Sequence, residues 1–334
     1  MSIEKMPIPT SASIQKIQVR EKPNPRWSSH FNNKLLTVAK HPIFGPNDTV
    51  FTVGSCFAER IRIALTDEAV NVGPPMEKIK LDKERFQIDS LPKRAHMNYY
   101  NSFTIRQEFE RHIGEWTRDN DDYWTIKDKI WGGDFVYQDP YRRMVLGRTP
   151  EDLTRANELI DDAIDQGIKS SSVFFMTLGM AEVFVNEKSG FIACQKPGYA
   201  GGAGENETNF HMSDYHENLT NMQRIVDIIT QLNPEARIVT TVSPVALART
   251  FGDNDILTAN MEGKSILRAA LGQLARDNHN VTYFPSYELV MCNSPVSFRD
   301  DDGRHVDDWI VSKIVETFKE AHYDENFGQV MAAE

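Results

Sequence analysis

Cys56 stands where a thiol can be made reactive. Gly54-Ser55-Cys56-Phe57-Ala58-Glu59 follows the apolar run Val50-Phe51-Thr52-Val53 and precedes a helical pattern, so the order predicts a strand, a tight turn and a helix start. Unpaired N–H groups and the positive end of the helix dipole at such a turn favour the thiolate over the thiol. Cys56 is the first candidate nucleophile, and Ser55 is the second. A structural role fits the same residues: Cys56 as a small buried hydrophobe, Ser55 as helix cap, and Gly54 as the residue that permits the turn.

A nucleophile needs a base, and the base needs a group that fixes its tautomer. Asp302-Gly303-Arg304-His305 offers both from one short loop, just ahead of the helical pattern Trp309–Val315. Asp302 would orient His305, and His305 would take the proton. The competing explanation is a surface histidine in an acidic loop, since Asp300, Asp301, Asp307 and Asp308 flank the pair.

With these two stretches in hand, the chain resembles the GSCFA-domain family, which is related to the SGNH (GDSL-type) esterases and acyltransferases. Gly54–Glu59 resembles the signature that names the family. The resemblance continues in order through Tyr100–Ile105, Thr177–Val183, Thr241–Val245, Lys264–Arg268 and Tyr283–Glu288, and spans about residues 45–320. It implies a fold like that of the SGNH hydrolases, flavodoxin-like in its sheet. By position in the relatives' Gly-Asp-Ser turn it puts Cys56 at the nucleophile and Ser55 at the aspartate. Asp302 and His305 match the relatives' Asp-x-x-His.

The relatives' Gly-x-Asn-Asp block matches Gly179-Met180-Ala181-Glu182, so Ala181 stands where an oxyanion-binding asparagine is expected. Losing one oxyanion donor costs about 10²–10³ in turnover, so an active protein needs a substitute. Asn101, in the second matching block, is the candidate, assisted by backbone N–H groups at Gly54–Cys56 and by Gly179. The alternative is that Asn101 is only a turn or cap residue before the helical run 103–112. Glu182 is either an acid behind the site or a structural partner.

The activity so implied is hydrolysis of an acyl ester, or O-acyl transfer, through a covalent intermediate on Cys56 (or Ser55), with a carbohydrate-linked or small-molecule ester as substrate. The alternative is a non-catalytic carbohydrate- or protein-binding module on the same fold, which the missing asparagine and the cysteine in place of serine would suit.

Composition narrows the partners. The chain has 37 basic and 48 acidic side chains, a formal charge of −11, which argues against coating a nucleic acid. A local basic stretch, Tyr141-Arg142-Arg143, offers either a hold for one anionic substrate group or a solvated surface pair. Cys56, Cys194 and Cys292 are too far apart in sequence for a Cys-x-x-Cys site, so neither a disulfide framework nor zinc is indicated, and a reducing, cytoplasmic setting is expected. The opening stretch has no apolar signal core, and no run reaches membrane-spanning length.

No cofactor is expected. Gly263-Lys264-Ser265 ends like a phosphate-binding loop, but Thr258 stands where its first glycine is required. Gly198–Gly204 lacks dinucleotide spacing and reads as a mobile loop. No Gly-x-Ser-x-Gly elbow occurs, and His211 and His216 lack metal-ligand spacing.

The elements that must position these groups are short apolar runs at 50–54, 172–178, 237–243 and 281–284, alternating with helical patterns. Ser213–His216 opens a helix with Leu219, Met222, Ile225, Val226, Ile229 and Leu232 on one stripe, and 262–276 forms another crossover helix. This order predicts a three-layer α/β/α sandwich with a mainly parallel sheet and reactive groups at the carboxyl ends of its strands. An arm at 1–40, a domain at 41–325 and a tail at 326–334 are expected, with an insertion at about 70–150. Within it Tyr123, Trp124, Trp131, Phe135, Tyr137 and Tyr141 form either the core of an inserted hairpin or a platform for stacking a sugar.

Overall fold

The computed structural model describes residues 36, 38–88, 91, 96–194, 208–293 and 296–327. The chain divides after Leu36, and the architecture below is that of Thr37–Glu334. Most of the expected arm, the Gly198–Gly204 loop and most of the expected tail lie outside the described residues.

In chain order the elements are β1 (Thr49–Gly54), α1 (Cys56–Asp67), β2 (Asn71–Gly73), β3 (Phe86–Ile88), α2 (Ser102–His112), β4 (Trp124–Lys127), β5 (Phe135–Gln138), β6 (Val145–Gly147), α3 (Pro150–Ser170) and β7 (Val173–Leu178). There follow β8 (Glu182–Asn186), β9 (Ile192–Ala193), β10 (Thr208–Met212), α4 (Tyr215–Leu232), β11 (Arg237–Val242), α5 (Ile256–Asp277), β12 (Val281–Tyr283), α6 (Ser286–Cys292) and α7 (Asp308–His322).

Five strands form one parallel sheet in the order β12-β11-β7-β1-β2. Counted among themselves, they run 2-1-3-4-5, the flavodoxin-like order. β1 and β7 are neighbours whose chains leave in opposite directions, so a crevice opens beyond their carboxyl ends. In open α/β sheets that switch point is where ligands bind.

The strands are buried on both faces because helices cover both. Alternation along β7 shows the division: Phe174, Met176 and Leu178 join the core that includes Ile164 of α3, Ile225 of α4 and Leu267 of α5. Phe175 points the other way and meets the rings of Phe284 and of Phe318 on α7. Truncating an aromatic so placed costs about 3–5 kcal/mol. Helices α1, α6 and α7 pack together on this second side, while α2, α4 and α5 pack in series on the first. The three-layer α/β/α sandwich is as the sequence predicts.

The helices start where their caps stand. Ser55 accepts from Phe57 N at the head of α1, and Thr149 caps α3 with Pro150 at its first position. Asp214 and Glu217 form a capping box on α4. Helix α5 begins six residues before the expected 262, at Ile256 behind the cap Asp255. Its first turn carries the 75% exposed Leu257, so no apolar stripe marks it in the sequence. The edge strand β2 is unanticipated for a similar reason, having three residues and no apolar run.

Residues 86–147 add a four-stranded antiparallel sheet, β3-β6-β5-β4. Trp124, Ile126, Val136 and Leu146 form its small core with Phe184 and Ala193. Of the six aromatics in this stretch, Trp124 and Tyr141 are buried and Phe135 is 64% exposed, and none of the six lines the cavity described next. Trp124 joins the insertion's own core with Trp131 packed against it, whereas Tyr123 and Tyr137 pack on the main core.

Candidate active site

A cavity of about 380 Å³ opens at the β1/β7 switch point. Ser55 and Cys56 reach it from the turn after β1, Gly179 and Met180 from the end of β7, and Ser243 from the end of β11. Tyr100 and Asn101 enter from the start of α2, Arg143 from the β5–β6 loop, and Arg304 and His305 from the loop before α7. Residues separated by up to 250 positions in sequence thus converge on one crevice.

The turn after β1 requires its glycine. Gly54 has φ 144°, and a Cβ there would lie 2.3 Å from Thr177 Oγ1 and 2.4 Å from its carbonyl oxygen. This close approach of β1 to β7 directs the next two residues. Ser55 N donates to Thr177 Oγ1 at 3.2 Å. The Ser55 hydroxyl accepts from Phe57 N at 3.3 Å and donates to Ser243 Oγ at 3.1 Å. Ser55 is thus committed as a cap and is buried, whereas Cys56 is half-buried and belongs to the cavity wall. The Cys56 N–H is one of the first-turn donors the helix cannot pair.

The structure corrects the expectation that the turn favours the thiolate. Burial pushes the Cys56 thiol up from its ordinary value, outweighing Arg304, Arg143 and Lys264, which pull it down, while Glu59 adds to the rise. Burial disfavours the charged form of a thiol and so works against the helix N-terminus at this turn.

His305 and Asp302 form a pair. Asp302 Oδ2 bonds His305 Nδ1, while its Oδ1 accepts from the backbone N–H groups of His305 and Arg304, each at 2.9 Å. These donors, the His305 backbone first, hold the Asp302 carboxyl well below the usual carboxylate range. The pairing makes Nδ1 the protonated nitrogen and leaves Nε2 with a lone pair. That lone pair faces Arg304 Nη2 at 3.0 Å, and no hydrogen bond joins His305 to Cys56 Sγ among the described residues.

Asn101 caps α2: its Oδ1 accepts from Thr104 N at 2.9 Å and from Thr104 Oγ1 at 3.2 Å. Capping commits the oxygen and leaves Nδ2 as the side chain's donor. Gly179 lines the cavity, but its N–H and that of Met180 donate to Tyr100 O at 3.0 and 2.9 Å, which removes both as oxyanion donors. Glu182 is a structural partner: its two oxygens accept from Thr250 Oγ1 at 2.6 Å and Phe251 N at 3.1 Å and hold the 250–251 loop against the cavity.

The basic stretch near Tyr141 is not a solvated pair. Arg142 is fully buried, with Nε and Nη2 on the two oxygens of Glu108 at 2.7 and 2.8 Å. Arg143 faces the cavity and donates to the Tyr100 hydroxyl at 2.6 Å. Alternating side chains in one loop send one guanidinium inward and the other to the crevice.

Sequence reasoning missed Lys264, Ser243, Arg249 and Cys194. Lys264 lies mid-helix in α5, buried, with Nζ donating to Gly179 O at 2.7 Å and Val245 O at 2.9 Å. It therefore ties together the two loops that wall the crevice, and burial pulls its ammonium down to about 7. Its phosphate-loop resemblance drew attention to the right residue for the wrong chemistry. Cys194 also lines the cavity, but burial pushes its thiol up to about 12 and its Sγ donates to Asn98 O. Among the described residues no cluster of three or more His, Cys, Asp or Glu is placed to hold a metal, and no helix is long and apolar enough to cross a membrane.

The profile of the GSCFA family matches residues 49–318, which includes β1, the Cys56 turn and the His305 loop. The chain belongs to the GSCFA family. A solved structure of a Clostridium thermocellum family 3 carbohydrate esterase is similar to this GSCFA chain at 12% identity and a TM-score of 0.34, covering 86% of it and 98% of the esterase chain. No curated protein matches it.

Proposed function

We propose that this cavity carries out acyl transfer from an ester, with Cys56 as nucleophile, His305 as base and Asp302 as the group that orients it. The observation that carries this reading is the opening of Cys56 and the Asp302-paired His305 onto one crevice at the sheet's switch point. Ser55 is the weaker nucleophile because its hydroxyl is spent on Phe57 N and Ser243.

The steps follow from the atoms present. His305 Nε2 takes the Sγ proton as the sulfur attacks the ester carbonyl, and the imidazolium returns that proton to the departing oxygen as the C–O bond breaks. Water, or an acceptor hydroxyl, gives its proton to the same nitrogen as it attacks the thioester carbonyl, and that proton returns to Sγ as the C–S bond breaks. A base matters more here than in a preformed thiolate site, because burial holds Cys56 as the thiol. The Cys56 N–H and Asn101 Nδ2 are the donors assigned to the oxyanion.

The test exposes the protein to an aryl acetate, with and without sugar acceptors, and weighs it intact. An acetyl adduct on Cys56, lost in Cys56→Ala and in His305→Asn, supports acyl transfer, and an acetylated sugar separates transferase from esterase. The raised thiol and the alanine at 181 favour a second reading, a binding module without chemistry. An unmodified Cys56 with every ester would select that one.

A further inference from the structure

The crevice has a charge opposite to that of the protein. In a chain of formal charge −11, it is lined by Arg143, Arg249 and Arg304, and its one carboxylate among the described lining residues, Glu182, is bound at both oxygens to Thr250 and Phe251. No carboxylate pairs with Arg249 or Arg304 among the described residues. Arg304 instead donates to Ala246 O at 3.2 Å and approaches Nε2 of His305.

Two guanidiniums without counter-ions on the wall of the cavity that holds Cys56 form a receptor for an oxyanion, since their forked donors match carboxylate, sulfate and phosphate. The position of Arg304 adds a second consequence. Its Nη2 occupies the nitrogen that must take the thiol proton, so a substrate that engages the guanidinium also vacates Nε2.

We propose that the substrate of this site carries an anionic group held by Arg304 and Arg249, and that engaging Arg304 frees His305 Nε2 for Cys56. This rests on the acyl-transfer reading for its substrate, but the receptor is tested without turnover. The acyl donors of choice are then esters with a nearby carboxylate, sulfate or phosphate, and neutral esters of the same size are poor ones.

Iodoacetate and iodoacetamide differ little except in charge and both alkylate thiols. The full-length protein is treated with each, and peptide mass spectrometry follows Cys56 against the exposed Cys292 as internal reference. The iodoacetate-to-iodoacetamide rate ratio at Cys56 is expected to exceed that at Cys292 by about tenfold, and to fall toward it in high salt and in Arg249→Gln. Glutarate, inorganic phosphate and sulfate, added separately, should each be compared with dimethyl glutarate as protectants of Cys56 against iodoacetate, which competes for the same guanidiniums, and the best of the three names the anion.

Equal ratios at the two cysteines, or protection by the neutral diester alone, would overturn the proposal. A protein that shows the anion preference yet forms no acyl adduct would retain the receptor and lose the acyl-transfer reading. Arg304→Gln supplies the link to His305: it should abolish protection by the anions, and the imidazole nitrogen NMR signals of His305 should move when phosphate is added to the wild type but not to this variant, whereas signals that stay still in the wild type would refute the claim that Arg304 restrains the base.

Discussion

Replacing Lys264 by methionine removes a buried ammonium whose two named acceptors are backbone carbonyls. Burial pulls Lys264 down to about 7 in the fold, whereas an unfolded lysine titrates near 10.4. Between those values the unfolded chain holds a proton that the folded chain has released, so stability rises with pH across this window. Integrated from pH 7 to pH 9, the rise is about 2 kcal/mol for this one group. Below pH 7 both states are protonated and the full desolvation cost is present.

The Met variant lacks the titrating group, so the stability of wild type relative to variant should increase by about 2 kcal/mol between these two pH values. Met also leaves Gly179 O and Val245 O without their donor, at about 1.5–3 kcal/mol for each such bond, but that loss varies little with pH. Cys56 and Cys194 titrate in both proteins, and taking the difference cancels them to first order. The assay is urea unfolding of both proteins at the two pH values, with m-values compared to check that the transitions are equivalent. Unfolding curves that shift in parallel would refute the reasoning, because a lysine with an ordinary pKa gives no differential slope. Turnover should fall in the same variant, since Gly179 and Val245 would no longer be held together at the cavity wall.

Gly54→Ala should fail to fold or lose most of its stability, because its Cβ would overlap Thr177; a melting temperature within a few degrees of wild type would contradict the geometry. His96 is fully buried, and burial first, then Arg62, pulls it down to about 3. The unfolded chain binds its proton below about pH 6.5 while the fold does not, so up to about 5 kcal/mol is lost as the pH falls from 6.5 toward 3, and His96→Gln should flatten that slope in acid titrations followed by circular dichroism. Arg142→Ala should cost about 3 kcal/mol by removing both short bonds to the buried Glu108 carboxylate, which keeps Arg111 at 3.2 Å; a cost below 1 kcal/mol in urea unfolding would mean water reaches the group.

Much of this site was legible in the chain because it depends on local order. A strand, Gly54, a capping serine and a helix start are consecutive residues, and the Asp302–His305 pair closes within one loop. Periodicity in α4 and the apolar runs of β1, β7, β11 and β12 are also local. The reading failed where the environment is set by distant residues. The protonation of Cys56 turns on desolvation, and the fates of Arg142 and Arg143 turn on which element lies beneath each. The aromatics of 124–141 are placed by pairing across a small sheet.

The linear order therefore determined the α/β alternation, the Gly54–Cys56 turn and the histidine paired with its acid. It could not determine that Lys264 would lie buried beneath Gly179 and Val245, that the Gly179 N–H would be taken by Tyr100, or that three arginines from separate loops would gather in an acidic protein. Those depend on the 2-1-3-4-5 crossing of the sheet, which brings loops far apart in sequence to one crevice. Charge, solvation and hydrogen-bond competition there arise between groups that share no local pattern.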